Sequence, residues 1–305
     1  MQSTSNILMI RPVKFGFNVQ TAESNAFQTM DADQELVQQK ALQEFDGFVK
    51  VLRDNGVNIT VVNDTPEPHT PDSIFPNNWV SFHDNGDILL YPMQAENRRL
   101  ERREDIIRQL EEHFKANHII DLSSFEAKDQ FLEGTGSMVL DRDNKIAYAC
   151  LSPRTNAEVL KAFCEHTGYK AVTFNAIDQN RQAIYHTNVL MAIGSSFAVI
   201  CLDSIPDLQE KETVIQSLSS SGKDIINISF DQMNQFAGNM LEVKNTAGET
   251  LVVMSKTAYN SLTNAQKNKL EKYGELIYAD INTIETNGGG SARCMMAEVH
   301  LEVNG

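Results

Sequence analysis

Residues 287–299 read NGGGSARCMMAEV, and the last seven residues of this stretch follow a pattern that recurs along the chain. In each copy, polar or small residues precede a short apolar run. The other copies are NNWVSF at 77–82, GTGSMVL at 134–140, HTNVLM at 186–191 and GNMLEV at 238–243. When Asn78, Gly136, Asn188, Asn239 and Arg293 are aligned, successive copies lie 58, 52, 51 and 54 residues apart. Such near-equal spacing of strand-like segments predicts five copies of one supersecondary unit.

Amphipathic helices are predicted between these segments. Residues 34–55 carry apolar side chains at helical spacing, and further helices are predicted over 97–114, 155–167 and 263–273, the last two opening at a threonine cap. The repeating unit is then strand–strand–helix–strand, and five units arranged radially close into an α/β ring. On periodicity alone, the alternative is an ordinary α/β sheet in which the spacing is a coincidence.

The composition is that of a globular protein with an acidic surface. Hydrophobic residues make up 41% of the 305 residues, which is enough for a sizeable core. The 26 basic and 41 acidic side chains give a formal net charge of -15. This charge repels phosphate backbones and anionic lipids, so we expect neither a nucleic acid nor a membrane as partner.

Targeting and cysteine patterns indicate a cytoplasmic protein. The amino terminus has no basic region, its apolar run over residues 7–10 is too short for a signal peptide, and no segment is long enough to span a bilayer. Cys150, Cys164, Cys201 and Cys294 lie far apart without metal-ligand spacing. We therefore expect free thiols, no metal and, since no linker interrupts the chain, one domain over residues 1–305.

Side chains able to do chemistry stand at the polar starts of the repeated segments. Cys294 belongs to the fifth copy, His186 begins the third, and Glu133 precedes the second. In a ring, these starts converge at one mouth of the central channel. Thiolate catalysis needs such a set: the thiolate attacks an electrophilic carbon, the histidine moves protons, and the carboxylate fixes the histidine tautomer. Any protein of this size contains these residue types, so the set alone is a weak argument.

The strongest local signal is at Cys294. Three glycines precede it, and they cost conformational entropy unless the backbone must approach something closely. Arg293 adds positive charge beside the thiol, which favours the thiolate. The alternative is a packing role, which we expect for the other three cysteines. His186 could likewise be a core or turn histidine, and Glu133 a turn residue, although an unpaired buried carboxylate is costly.

Taken together, the motifs resemble those of the guanidino-group-modifying superfamily. GGGSARCM at 288–295 resembles the nucleophile loop of arginine deiminases. DSIFPNN at 72–78 looks like the Asp-x-x-Phe-x-Glu-Asp segment of dimethylarginine dimethylaminohydrolases, and LEG at 132–134 is similar to the motif of their third catalytic residue. LSPRTN at 151–156 and the Arg98-Arg99 pair also have counterparts. The order holds from about residue 7 to 300, and the resemblance implies a five-bladed α/β propeller, the pentein fold.

The resemblance also implies a mechanism without metal or organic cofactor. Cys294 attacks the central carbon of a guanidino or ureido group, and His186, oriented by Glu133, protonates the leaving nitrogen and then activates water. By analogy, Arg98 and Arg154 hold the α-carboxylate of an amino-acid substrate. Asp72 and Asn78 contact the reacting group, with Asn77 and Asn188 as further substrate-binding candidates.

Three departures from the family pattern bear on the substrate. Members that act on arginine-type cations have carboxylates at the positions of Asn77 and Asn78, and arginine deiminases have His-x-Asp where this chain has His186-Thr187-Asn188. An asparagine offers a donor and an acceptor but no counter-charge for a guanidinium. The neutral ureido group of citrulline is therefore the predicted target, as in the citrulline-hydrolysing branch of the superfamily.

Other functions stay open at this point. An amidinotransferase would use the same three residues and pass the amidino group to an amine, and arginine or dimethylarginine hydrolysis could rely on Asp72 alone. A non-catalytic binding protein of the same fold predicts loss of the cysteine, histidine and glutamate, and all three are present. The sequence is compatible with a homo-oligomer and does not specify one.

Overall fold

A computed structural model describes residues 1–22, 25, 27–30 and 33–304. The strands are β1 Asn6–Arg11, β2 Asn58–Asn63, β3 Val80–Phe82, β4 Asp87–Leu90, β5 Phe114–Lys115, β6 His118–Asp121, β7 Val139–Asp141, β8 Ile146–Cys150, β9 Lys170–Phe174, β10 Met191–Ile193, β11 Phe197–Ile200, β12 Asp224–Asn227, β13 Leu241–Lys244, β14 Thr250–Ser255, β15 Glu275–Ala279, β16 Ala297–Glu298 and β17 Glu302–Val303.

Helices occupy most of the connections between these strands. They are α1 Val19–Ala22, α2 Gln34–Asp54, α3 Glu96–Arg99, α4 Glu104–Glu111, α5 Gly134–Ser137, α6 Ala157–Thr167, α7 Thr187–Leu190, α8 Leu208–Ser220, α9 Phe230–Asn234, α10 Lys256–Ser261, α11 Asn264–Leu270 and α12 Asn282–Gly288. Short 3-10 helices occur at Pro76–Asn78, Ser123–Lys128 and Leu202–Ser204. In the described part of the chain, no helix has the length and apolarity needed to cross a membrane.

Across the described residues, the strands form five three-stranded sheets and one two-stranded sheet. The three-stranded sheets have the orders β3-β4-β6, β7-β8-β9, β10-β11-β12, β13-β14-β15 and β16-β1-β2. In each of them, an antiparallel pair is followed by a parallel pair, and the parallel connection contains a helix. The predicted strand–strand–helix–strand unit is therefore confirmed as the repeating element of an α/β fold.

The sheet β16-β1-β2 is assembled from segments far apart in sequence. Strand β1 pairs in parallel with β2, with Ile7 opposite Ile59, and antiparallel with β16, with Ile7 also opposite Glu298. Strand β17 pairs separately with β5. The fifth repeat is consequently completed by a strand that lies near the start of the chain.

The polar starts of three of the five repeated segments are turns of helix rather than the first residues of strands. The 3-10 helix 76–78, α5 and α7 directly precede strands β3, β7 and β10. Helix α5 contacts both the 3-10 helix and α7, so these turns pack side by side. As predicted, the polar residues at the starts of different repeats converge.

The helix predictions were correct where an apolar stripe faces a sheet. Helix α2 spans 34–54, buries Phe45, Phe48 and Leu52, and is capped by Asp33, whose side chain accepts the Leu36 N–H at 3.0 Å. Helix α11 begins after Thr263 with a capping box. Helix α6 begins at Ala157, with Asn156 rather than Thr155 as its cap.

The single helix predicted over 97–114 was wrong. The structure has α3 and α4 with a break between them, and Phe114 lies in β5. Arginines of this region bind groups outside any helix: Arg99 donates to Met93 O at 3.0 Å, and Arg102 donates to Tyr91 O at 3.1 Å. Such tertiary contacts override the local helical periodicity.

Candidate active site

Cys294 and His186 line one small cavity at the converging ends of the repeats, with Glu133 buried behind the histidine. Glu133 is the residue before α5, His186 is the residue before α7, and Cys294 lies between α12 and β16. The cavity is lined by Asn25, Asp72, Phe75, Asn78, Arg98, Arg154, Tyr185, His186, Gly288, Gly289, Gly290 and Cys294.

Glu133 and His186 form a tightly bound pair. The His186 Nε2 lies 2.7 Å from Glu133 Oε2, and the other carboxylate oxygen accepts the Gln94 N–H at 3.1 Å. Glu133 is fully buried. Burial alone would raise the pKa of Glu133, but the charge of Arg154, 3.4 Å away, and the hydrogen bond from His186 outweigh it and hold the pKa well below its usual range. The carboxylate is therefore ionised and accepts from Nε2–H.

His186 is neutral in the resting site. Burial lowers the pKa of His186 to about 4, and Glu133 offsets this effect only in part. Because ionised Glu133 can only accept, the proton of the neutral ring is on Nε2. Nδ1 then carries the lone pair, so the ring is ready to take a proton.

The sulfur of Cys294 is surrounded by amide donors. Asn239 Nδ2 lies 3.2 Å and Asn188 Nδ2 lies 3.4 Å from Sγ. The guanidinium of Arg293 binds Glu298 at 2.7 Å and Met296 O at 2.8 Å instead of the sulfur. The positive charge expected beside the thiol is thus paired with a carboxylate.

The triple glycine lets the nucleophile loop pass close to its neighbours. Gly289 has a φ of +65°, in the left-handed region. A Cβ at Gly290 would lie 2.9 Å from the Phe75 ring and 3.3 Å from the Cβ of Cys294. Tyr185 donates its hydroxyl to Gly289 O at 2.9 Å and fixes the loop from the opposite side.

Two arginines line the cavity, and both are bound by protein groups. Arg98 donates to both carboxylate oxygens of Glu101, at 2.9 and 3.0 Å, and to Asn78 Oδ1 at 2.8 Å. Arg154 donates to Thr21 O at 3.1 Å, and its guanidinium lies over the ring of Tyr185. The buried carboxylates, Glu101 first, overcome the effect of burial and raise the pKa of Arg98.

Three side chains of the site each retain a buried atom without a hydrogen bond. They are Asp72 Oδ1, Asn78 Nδ2 and Asn188 Oδ1. The second oxygen of Asp72 accepts from Asn18 at 2.7 Å. Burial raises the pKa of Asp72, and the nearby Arg98 opposes this effect. Buried polar groups without partners are costly, so these atoms point to a polar ligand.

Asn77 and Asn188 differ from the other substrate-binding candidates, because neither is among the described residues that line the cavity. Asn188 lies beside the sulfur of Cys294. Asn77 is fully buried and donates to Thr135 Oγ1 at 3.3 Å. Its Oδ1 is also without a hydrogen bond.

Sequence reasoning missed several residues of the site. Asn18 and Thr21 hold Asp72 and Arg154 from a segment without periodicity, and Tyr185 has no motif. Asn239 occupies the aligned position of the fourth repeat, so the repeat itself carried a signal for it. Glu101 also had a signal, since it lies three residues after Arg98 at ion-pair spacing.

Solved structures share this fold. The arginine dihydrolase ArgZ of cyanobacteria, in its apo form, superimposes with a TM-score of 0.75 at 16% identity over 97% of this chain and 40% of that chain. This chain thus spans less than half the length of full-length ArgZ. A cysteine-to-serine mutant of the ArgZ N-terminal domain, bound to substrate, gives 0.73 at 16% identity over 97% and 98%. No curated protein matches the chain in a sequence comparison.

A further structure with this fold comes from a dimethylarginine-hydrolysing enzyme. The DDAH of Pseudomonas aeruginosa, as a cysteine-to-serine mutant complexed with citrulline, gives a TM-score of 0.68 at 18% identity over 97% of this chain and 99% of that chain. The fold is that of the guanidino-group-modifying superfamily. The model of the eukaryotic N,N-dimethylarginine dimethylhydrolase family matches residues 11–301, and the chain belongs to that family.

Proposed function

We propose that the chain hydrolyses the ureido group of citrulline through a covalent intermediate on Cys294. The overall reaction takes citrulline and water to ornithine, ammonia and carbon dioxide. Cys294 is the nucleophile, His186 is the acid and base, and Glu133 orients and supports His186.

One observation carries the choice of substrate: the amide of Asn78 has a forced orientation. Its Oδ1 accepts from Arg98 at 2.8 Å, and because arginine can only donate, this assignment cannot be reversed. Nδ2 is therefore a buried donor without a partner. A ureido oxygen can accept from it, whereas a guanidinium has donors only and would face it with a further N–H.

The acceptors of the site suit the remaining part of a ureido group. Asp72 lines the cavity with its Oδ1 buried and without a partner, Asn188 has an unpaired Oδ1 next to Cys294, and ureido nitrogens are donors. A site with both free acceptors and a free donor matches a neutral group that has N–H donors and a carbonyl acceptor, as a ureido group does. A site built to bind such a group discriminates strongly against analogues that leave its polar atoms unpaired.

The reaction proceeds in two stages. The Cys294 thiol transfers its proton to His186 Nδ1, and the sulfur forms a bond to the ureido carbon. His186 returns the proton to the leaving nitrogen, the C–N bond breaks, and ornithine departs from an S-carbamoyl cysteine. His186 then takes a proton from water, the hydroxide displaces the thiolate, and the carbamate that is released decomposes to ammonia and carbon dioxide.

Arg98 and Arg154, the two cationic side chains that line the cavity, are the proposed partners of the α-carboxylate. To bind the substrate, either arginine would give up a hydrogen bond that it now makes. Arg154 would release the Thr21 carbonyl, or Arg98 would release the Phe75 carbonyl, which it binds weakly at 3.4 Å. Asn77, which does not line the cavity, is proposed to hold the neighbouring cavity-lining residues in place through its hydrogen bond to Thr135.

The five sheets are proposed to form a closed five-bladed propeller, one catalytic domain over residues 1–305. Inner strands of successive sheets touch: β16 contacts β3, β7 contacts β10, and β10 contacts β13. Lys244 N donates to Thr4 O at 3.0 Å and links the sheet of β13 to the segment before β1. The four cysteines are free thiols, which supports the proposed cytoplasmic location.

The test is release of ammonia and amino acid from citrulline, homocitrulline, arginine, N,N-dimethylarginine and agmatine, with Cys294→Ala as control. Citrulline is expected to give the highest kcat/KM, with no turnover in the control. A higher kcat/KM for arginine or dimethylarginine would contradict the substrate assignment and leave the cysteine mechanism intact. Amine-dependent formation of a new guanidino compound would indicate amidino transfer.

The second candidate substrate is a guanidinium, favoured by the buried carboxyl of Asp72 and by the family of the chain. The variant Asn78→Asp separates the two because it keeps the acceptor for Arg98 and replaces only the free donor with an acceptor. We expect kcat/KM for citrulline to fall at least about tenfold and the preference to move toward arginine. A rise for citrulline would overturn the role given to Nδ2.

A further inference from the structure

The amide of Asn239 is the closest donor to the nucleophilic sulfur, and its orientation is fixed by its surroundings. Its Oδ1 accepts the backbone N–H of Arg293 at 3.0 Å, and a backbone N–H can only donate. Nδ2 must therefore face the other way, where it donates to Asn188 O at 3.0 Å and points a second hydrogen at Sγ, 3.2 Å away. Asn239 is buried, so bulk water does not compete for these bonds.

A glycine allows the fourth repeat to deliver this amide. A Cβ at Gly238 would overlap the Val189 carbonyl oxygen and lie 2.8 Å from the carbonyl carbon of Leu190. The backbone of residues 238–239 can thus lie directly against the end of α7. This close approach places Asn239 between the third repeat and the nucleophile loop of the fifth.

The described residues offer the sulfur no hydrogen bond from a cationic side chain. The guanidinium of Arg293 is bound to Glu298 and Met296 O, and His186 donates to Glu133. The sulfur instead accepts hydrogen bonds from the side-chain N–H groups of Asn239 and Asn188. A donor strengthens its bond when the acceptor becomes an anion, so these amides favour the thiolate over the thiol.

We propose that Asn239 is a catalytic residue that stabilises the Cys294 thiolate and fixes the direction in which it attacks. This inference rests on the proposed function only through Cys294 as nucleophile, and it does not depend on which substrate is bound. The Arg293 N–H acts with it as a positioning group, because it holds the amide in the donating orientation.

The test is alkylation of Cys294 by iodoacetamide between pH 6 and 10, followed by peptide mass spectrometry without substrate. Asn239→Asp keeps the acceptor for Arg293 N–H and replaces the donor with a carboxylate oxygen. We expect alkylation of Cys294 at pH 7 to slow by about 10- to 100-fold, which corresponds to the loss of one charge-assisted hydrogen bond. Cys164 on α6, which is half-buried with a pKa raised to about 11 by burial, is the internal standard and should keep its rate.

Asn239→Ala is the second variant, because it removes the donor without adding charge. It also tests the role of Asn239 if the aspartate variant does not fold. It should slow alkylation of Cys294 in the same direction, and kcat should fall with it. A wild-type alkylation rate of Cys294 in a folded Asn239 variant would overturn the proposal. If the wild type does not turn over citrulline but the alkylation effects appear, the substrate assignment fails and the role of Asn239 stands.

Discussion

In this site, neighbours that can only donate or only accept a hydrogen bond fix the hydrogen-bonding roles of single side chains. Arginine side chains and backbone N–H groups can only donate hydrogen bonds. Each therefore fixes the orientation of the amide that accepts from it: Arg98 that of Asn78, and the Arg293 N–H that of Asn239. The amide of Asn78 retains a buried donor without a partner, and the amide of Asn239 presents a donor to the sulfur. Ionised Glu133, which only accepts, likewise decides where the proton of His186 resides.

At this scale we predict the effect of Glu133→Gln. Glutamine keeps the size of the side chain but removes the charge that lies against His186 and Arg154. The imidazolium formed during the reaction loses its counter-charge, so kcat for citrulline is expected to fall at least about 100-fold. Steady-state kinetics measure this effect, with Glu126→Gln as the matched control, since Glu126 binds Arg102 away from the cavity. A kcat within a few-fold of wild type would show that Glu133 is not needed to support the histidine.

The sequence indicated these residues unequally. Cys294, His186 and Glu133 were predicted from motifs at the starts of repeats, and the structure brings them into one site. The ligands of their neighbours were not predicted, because Asn18, Thr21 and Tyr185 reach the site from loops whose positions depend on tertiary packing. The pairing of Arg293 with Glu298 was also not predicted, and the hydrogen bonds to the sulfur come from amides instead of this guanidinium.

At the level of elements, the short turns before the inner strands position the candidate catalytic residues. Their short length lets several of them meet, since α5 packs against both α7 and the 3-10 helix at 76–78. Gly136 in α5 is a point of close approach in this junction. A Cβ there would lie 2.8 Å from His186 Nδ1 and still closer to Asn78 Nδ2.

We therefore predict that Gly136→Ala reduces kcat/KM for citrulline by at least about tenfold, because either His186 or Asn78 must move. Gly47→Ala is the matched control: it lies inside α2, and a Cβ there meets nothing within 4 Å. That substitution should leave kcat/KM unchanged and raise the free energy of unfolding by up to about 1 kcal/mol. Equal kinetics of the Gly136→Ala variant and wild type would contradict the packing described here.

Among the helices, some could be predicted from the sequence and others could not. Helix α2 has a continuous apolar stripe that packs on a sheet, and its bounds followed from the sequence to within one residue. The 97–114 segment has a similar stripe but is divided, because its arginines bind carbonyl and carboxylate groups of other segments. These partners lie 6, 11 and 24 residues from the arginines, outside the 97–114 segment, and leave no periodic trace in it.

For the molecule as a whole, buried histidines tie stability to pH. Burial is the main cause that lowers the pKa of His300 to about 4, and of His83 well below 6.5. Between pH 6.5 and 4 the unfolded chain binds protons that the folded protein does not, so these groups make the free energy of unfolding fall as the pH falls. Each contributes up to about 1.4 kcal/mol per pH unit.

The variant His300→Gln tests this sign because it can still donate to Glu298 and does not titrate. Between pH 6 and 5, wild type should lose up to about 1.4 kcal/mol more unfolding free energy than the variant, as measured by urea denaturation. His166→Gln, at an exposed position on α6, should keep the pH slope of wild type. Parallel slopes for all three proteins would show that His300 is protonated in the folded state as readily as in the unfolded one.

The sheet β16-β1-β2 has a consequence for biosynthesis. Strand β1 is made before its antiparallel neighbour β16, which leaves the ribosome about 290 residues later, with Cys294 only three residues ahead of it. The other four three-stranded sheets pair strands that follow one another closely along the chain, whereas this one must wait until residue 298 has been made. A nascent or prematurely terminated polypeptide therefore carries no assembled nucleophile, and its reactive thiol appears only when the surroundings that restrain it are already in place.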